Sequence, residues 1–118
     1  RAPAAIGPYS QAVEAGGFLF SAGQIGLIPG TPDFRVEDVE TQAIQVFQNL
    51  AAILDEAELT FGDVVKATVF LADMDEFPLV NAIYERYFNE PYPARSTVAA
   101  AGLPKGARVE IDVVAYRS

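Results

Sequence analysis

Val109, Ile111, Val113 and Ala115 alternate along the chain with Glu110, Asp112, Val114 and Tyr116. Successive side chains of an extended backbone point to opposite sides, so the segment from Arg108 to Tyr116 is expected to be a β-strand with one wholly apolar face and one mixed face. The apolar face needs a covering layer, and two stretches supply it. From Val39 to Leu59 the residues Ala43, Val46, Phe47, Leu50, Ile53, Leu54 and Ala57 recur at steps of three and four, the spacing of an amphipathic helix. Phe77, Val80, Ile83, Tyr84 and Tyr87 repeat the pattern, with Asp73 or Asp75 placed to cap the start and Pro91 beyond the end.

The rest of the chain reads as strand and loop. Ser10 to Ala15 and Phe18 to Ser21 predict a hairpin through Gly16-Gly17, and Gly26 to Asp38, with two glycines, Pro29, Pro32 and several polar residues, predicts an irregular, mobile loop. Asp63 to Ala72 is rich in β-branched residues, and Arg95 to Ala100 joins the last strand through the turn Leu103-Pro104-Lys105-Gly106. The order ββαβαββ specifies an α+β domain, a mixed β-sheet with both helices packed on one face. The other face would combine charges with Val64, Phe70 and Tyr116, a composition that favours burial between subunits of an oligomer.

Composition narrows the chemistry. The 118 residues, 51% of them apolar, suit a single domain spanning 1–118, and no stretch approaches the length of a membrane span. There is no cysteine and no histidine, which excludes disulfides, thiolate nucleophiles, Ser-His-Asp triads and nearly all zinc and haem sites. Sixteen acidic against eight basic residues give a net charge of -8, a field that opposes nucleic acid. The first residues, Arg1 to Ile6, lack the basic and apolar regions of a secretory signal, so the expected location is cytoplasmic.

Several residues could carry function. Arg95 follows Pro93-Ala94 at a strand start, where a guanidinium could face a planar carboxylate or simply pair with a surface acid. Glu110 sits between Val109 and Ile111, where a carboxylate could activate a water, or face solvent, or pair with Arg108 or Lys66. Gly23, ending Ser21-Ala22-Gly23, could let a ligand approach the main chain, and Tyr9 after Gly7-Pro8 could cover a small ligand or pack. Lys66 and Lys105 lack the desolvated context of a Schiff-base lysine. The run Asp73, Asp75, Glu76 suits helix capping rather than a metal, and no metal site is predicted.

Four blocks taken together, PAAIGPYSQAV, SAGQIG, GDVVKATVFLADMDEFPLVNAIYERYF and PARSTVAAAGLPKGARVEIDVVA, resemble the RidA/YjgF family of reactive-intermediate deaminases over nearly the whole chain. The most specific part is Pro93-Ala94-Arg95-Ser96 followed by Leu103 and then Val109-Glu110-Ile111. The resemblance implies a chorismate-mutase-like fold and a homotrimer with its sheets facing inward and ligand clefts between neighbouring subunits. It also implies cofactor-independent hydrolysis of 2-imino or enamine acids, such as 2-iminopropanoate derived from 2-aminoacrylate, to 2-keto acids and ammonia: a 2-iminobutanoate/2-iminopropanoate deaminase. By position, Arg95 would bind the substrate carboxylate, Glu110 would orient the attacking water, and Tyr9, Gly23, Asn81 and Thr97 would line the cleft. Thr97 stands where the family often has cysteine, Ala22 where serine is common, and Gly26 where proline is frequent. Two other expectations compete: a trimeric small-carboxylate-binding protein without turnover, and the endoribonuclease or translation-inhibitor role attached to some members, which the charge of -8 opposes.

Overall fold

Gly16 and Gly17 adopt φ of 60° and 85°, so the chain reverses there and β1 (Ala12–Ala15) pairs antiparallel with β2 (Phe18–Ser21). The computed structural model describes residues 9–31, 33 and 38–118. The Gly7-Pro8 turn, Pro32 and residues 34–37 of the expected loop lie outside the described residues. After α1 (Val39–Glu56) come β3 (Val64–Leu71), α2 (Phe77–Tyr84), β4 (Ala94–Ala99) and β5 (Val109–Tyr116). The sheet runs β1-β2-β5-β3-β4, with β3 and β4 parallel and the other pairs antiparallel. The sheet is therefore mixed, as expected, because α2 carries the chain back between β3 and β4.

The alternation in β5 sorts as the sequence predicts. Val109, Ile111, Val113 and Ala115 are buried with Ala43, Val46, Phe47, Leu50 and Leu54 of α1 in one core. Each fully buried large apolar side chain there contributes about 1.5–3 kcal/mol. Val64 departs from expectation. The β3–β5 register slips between Val64 and Lys66, so Val65 is the extra residue, Val64 turns into the helix-side core and Val65 is exposed. Without that bulge Val64 would share a face with Lys66, Thr68 and Phe70, as strict alternation predicts.

Helix ends differ from the periodicity for equally local reasons. Asp38 caps α1 by accepting from the Thr41 N–H at 2.8 Å, a bond that lowers the Asp38 carboxyl pKa. At the other end Glu58 takes φ of 61°, its N–H reaches Asp55 O at 2.9 Å, and the Leu59 N–H reaches Leu54 O at 2.8 Å. That Schellman closure stops the helix at Glu56 while returning Leu59 to the core. Before α2, Asp73 accepts from the Asp75 N–H and so caps the short turn Met74–Glu76 rather than α2 itself. The last turn after Tyr84 tightens, with the Tyr87 N–H bonded to Tyr84 O at 3.0 Å.

One buried polar group ties α1 to the segment after β2. Asn49 Nδ2 donates to Ile25 O at 3.1 Å and Leu27 O at 3.0 Å, and its Oδ1 accepts from Gln45 Nε2 at 2.9 Å. Asn49→Ala leaves the buried Leu27 carbonyl without its donor and takes from Ile25 O one of its two, the other being the Leu27 N–H at 2.9 Å, and is expected to cost about 1–3 kcal/mol by denaturant unfolding. Unchanged stability would mean that this tether does not hold the segment.

Candidate functional site

The tethered segment builds one side of a cleft. Beyond β2 the chain keeps to β5: the Gln24 N–H donates to Ile111 O at 2.8 Å, and the Ile111 N–H donates to Gln24 O at 3.0 Å. This pairing lays Gly23 against the side chain of Glu110. A Cβ on Gly23 would sit 1.9 Å from Glu110 Oε2, so only glycine leaves the carboxylate its place. Gly26, where the family often has proline, packs on the α1 backbone, and a Cβ there would come within 2.9 Å of Gln42 O. Tyr9, Ala22, Gly23, Ile25, Lys105 and Glu110 line a cleft of about 660 Å³.

Glu110 lies on the sheet face away from the helices, opposite Phe70, and forms no ion pair with Arg108 or Lys66. Arg108 pairs with Glu76 instead, and Lys66 Nζ donates to Ser96 Oγ at 2.9 Å. Burial raises the Glu110 carboxyl pKa, and the charge of Asp112, two residues along the same face, raises it further. Asp112 is itself raised by burial, against a hydrogen bond from Thr68 and the nearby Lys66 charge. A half-buried carboxylate with raised proton affinity, aimed into a cleft, is suited to take a proton from water.

A second cleft, of about 420 Å³, contains Asn81, Tyr84, Glu85, Tyr92, Pro93 and Arg95. Arg95 pairs with Ala67 across the β3–β4 ladder, which directs it to the helix side. Its guanidinium carbon stands 5.2 Å from the Phe77 ring centroid and 4.7 Å from that of Tyr84, and Nη1 donates to Asn81 Oδ1 at 2.6 Å. The sequence left open a surface ion pair for Arg95, and among the described residues no carboxylate pairs with it. A guanidinium held by π faces and a neutral amide retains its charge for an anion.

The candidate residues thus fall into two groups. Tyr9, Gly23 and Glu110 share the first cleft, and Asn81 and Arg95 the second, on the opposite side of the sheet. Thr97 points to the same side as Arg95, half-buried, but lines neither cleft. Phe77, Tyr84, Glu85 and Lys105 were not singled out as site residues from sequence. Phe77 and Tyr84 share one face of α2 with Asn81, and Glu85 caps its C-terminal end four residues beyond Asn81, a spacing that could have disclosed them. No group of metal-ligating side chains occurs among the described residues, nor is any described helix long and apolar enough to cross a membrane.

The sheet face bearing Glu110 also exposes Val13, Phe18, Phe20, Val98 and Tyr116. Phe18 and Tyr116 touch, their ring centroids 4.8 Å apart. An exposed apolar face of this kind marks an interaction surface.

Comparison with known proteins agrees with the fold. The family profile described as Endoribonuclease L-PSP matches residues 1–117. A RutC family protein of Synechocystis sp. is 56% identical over 117 residues, covering 98% of this chain and 90% of the relative. Reactive Intermediate Deaminase A, chloroplastic, of Arabidopsis thaliana is 48% identical over 115 residues, covering 98% of this chain and 62% of that protein. Among solved structures, E. coli TdcF with bound serine superposes with a TM-score of 0.93 at 43% identity, covering 100% of this chain and 94% of the other.

Proposed function

Because the chain belongs to the Endoribonuclease L-PSP family, the family of RidA and YjgF, we propose that it hydrolyses small 2-imino acids to 2-keto acids and ammonia. The observation that carries this reading is the pair of complementary half-sites: an uncompensated guanidinium at Arg95 and a proton-seeking carboxylate at Glu110. They lie on opposite sides of one sheet, so the reading includes a homotrimer in which the Arg95 half of one subunit faces the Glu110 half of the next. The exposed apolar sheet face would supply the contact, and residues 1–118 act as one domain.

In the assembled cleft Arg95 holds the substrate carboxylate and so fixes the imine carbon. Glu110 takes a proton from water as its oxygen bonds to that carbon, and the C=N electron pair returns to nitrogen. The proton passes to nitrogen, the C–N bond breaks, and the hydroxyl O–H pair becomes the carbonyl bond. The hydroxyl proton leaves with ammonia as ammonium, so iminium acid and water give keto acid and ammonium. Placement and one proton relay suffice for an electrophile as reactive as an iminium, and no imidazole is needed. The endoribonuclease in the family description is the second reading. Against it stand the -8 charge and the absence of histidine.

The test is keto-acid release from imines generated in situ, with the protein, with Arg95→Ala, with Glu110→Gln, and with both variants unfolded and reassembled together. Each variant alone should fall by at least about 100-fold in rate. Random reassembly into a trimer should restore about a quarter of the wild-type rate, since one cleft in four then combines an intact Arg95 half with an intact Glu110 half. Intact oligomers without recovery would rule out a site shared between subunits, and a wild-type protein inactive on every imine would rule out the reaction. Gly23→Ala gives a separate check. It should fold normally, because the displaced atom is the end of a flexible side chain, yet lose about 100-fold in kcat/KM through misplacement of Glu110.

A further inference from the structure

The guanidinium of Arg95 is held by a single face of α2. Phe77 and Tyr84 offer ring faces, Asn81 offers Oδ1 at 2.6 Å, and behind Asn81 its Nδ2 donates to Glu85 Oε1 at 3.3 Å. A primary amide has an accepting end and a donating end, and only the accepting end can face a guanidinium. A carboxylate accepts and cannot donate, so Glu85 fixes which way the Asn81 amide is turned. If that amide flips, its NH2 faces the guanidinium, which then loses its acceptor on Asn81. Glu85 stands one helical turn beyond Asn81 and forms no ion pair with Arg95 among the described residues, so it orients the amide without neutralising the cation.

We propose that Glu85 is a positioning residue: through its hydrogen bond to the Asn81 amide it sets the direction in which Arg95 presents its fork to a small carboxylate. The proposal rests on the reading that Arg95 anchors the substrate. Its signature is a change in affinity without a change in the chemical step, because Glu85 acts through Asn81 and Arg95 and lies on the opposite side of the sheet from Glu110.

The experiment compares Glu85→Leu and Glu85→Gln with wild type. Glu85 is exposed, and a melting curve for each variant confirms folding. Two quantities are read: kcat and KM for an imine formed in situ, and the Kd of pyruvate, which needs no turnover. Glu85→Leu is expected to raise KM and Kd about tenfold with kcat within about twofold. Glu85→Gln keeps an accepting oxygen and should return both to near wild type. Leucine within twofold of wild type overturns the proposal. So does tighter binding by both variants, which would make Glu85 a repelling charge, or a glutamine variant as weak as leucine. If the wild type binds pyruvate but hydrolyses no imine, the deaminase reading fails while the Kd comparison still decides the role of Glu85.

Discussion

Arg95→Ala is expected to abolish the binding of small carboxylates and to lower kcat/KM by a factor of about 100 to 1,000. That range corresponds to losing a charge-assisted, two-pronged contact to the substrate carboxylate. Calorimetry with pyruvate and initial rates with an in situ imine measure the two effects. The geometry also predicts the result for lysine. The Arg95 guanidinium lies over the rings of Phe77 and Tyr84 and donates to Asn81 at 2.6 Å. An ammonium on a flexible stem reproduces the charge but neither the planar stacking nor the fork. Arg95→Lys should therefore recover little of the lost affinity. Wild-type affinity in Arg95→Ala would show that Arg95 does not anchor the carboxylate.

How much of this was readable beforehand depends on how local the determining interactions are. Period-two alternation from Arg108 to Tyr116 and helical spacing from Val39 to Leu59 record burial residue by residue, and both elements form there, as Val109–Tyr116 and as a helix that stops at Glu56. The fate of Val64 depends on a one-residue slip against β5, which alternation within β3 cannot disclose. The end of α1 was hidden for a related reason: Leu59 keeps the helical spacing but enters the core through a left-handed Glu58. Residues that bear the site were legible as types, an arginine at a strand start and a carboxylate in an apolar strand. Their separation was not. Arg95 and Glu110 each alternate correctly within their own strands, yet β4 places one under α2 while β5 places the other on the uncovered face. Only the assembled sheet shows that the two residues face opposite sides of one chain.

Glu110→Gln should separate catalysis from binding and from stability in one variant. It removes the base and keeps the shape. Turnover is expected to fall about 100- to 10,000-fold, the range of a lost general base. Pyruvate affinity, which depends on Arg95, should stay near wild type. A protein that only binds carboxylates would have no turnover to lose, so this contrast distinguishes an enzyme from a binding module. The pH dependence follows from burial and from Asp112, which both raise the Glu110 pKa. Activity should decline as pH falls through that raised value, because the protonated carboxyl cannot accept a proton from water. Stability runs the other way. In the interval between the ordinary and the raised pKa the folded state holds more protons than the unfolded state, so stability declines as pH rises. Glutamine lacks that ionisation. Glu110→Gln should therefore melt higher than wild type at neutral pH, with the difference closing below the ordinary carboxylate range. If the two proteins melt together at every pH, Glu110 is not held in the desolvated setting that its role as base requires.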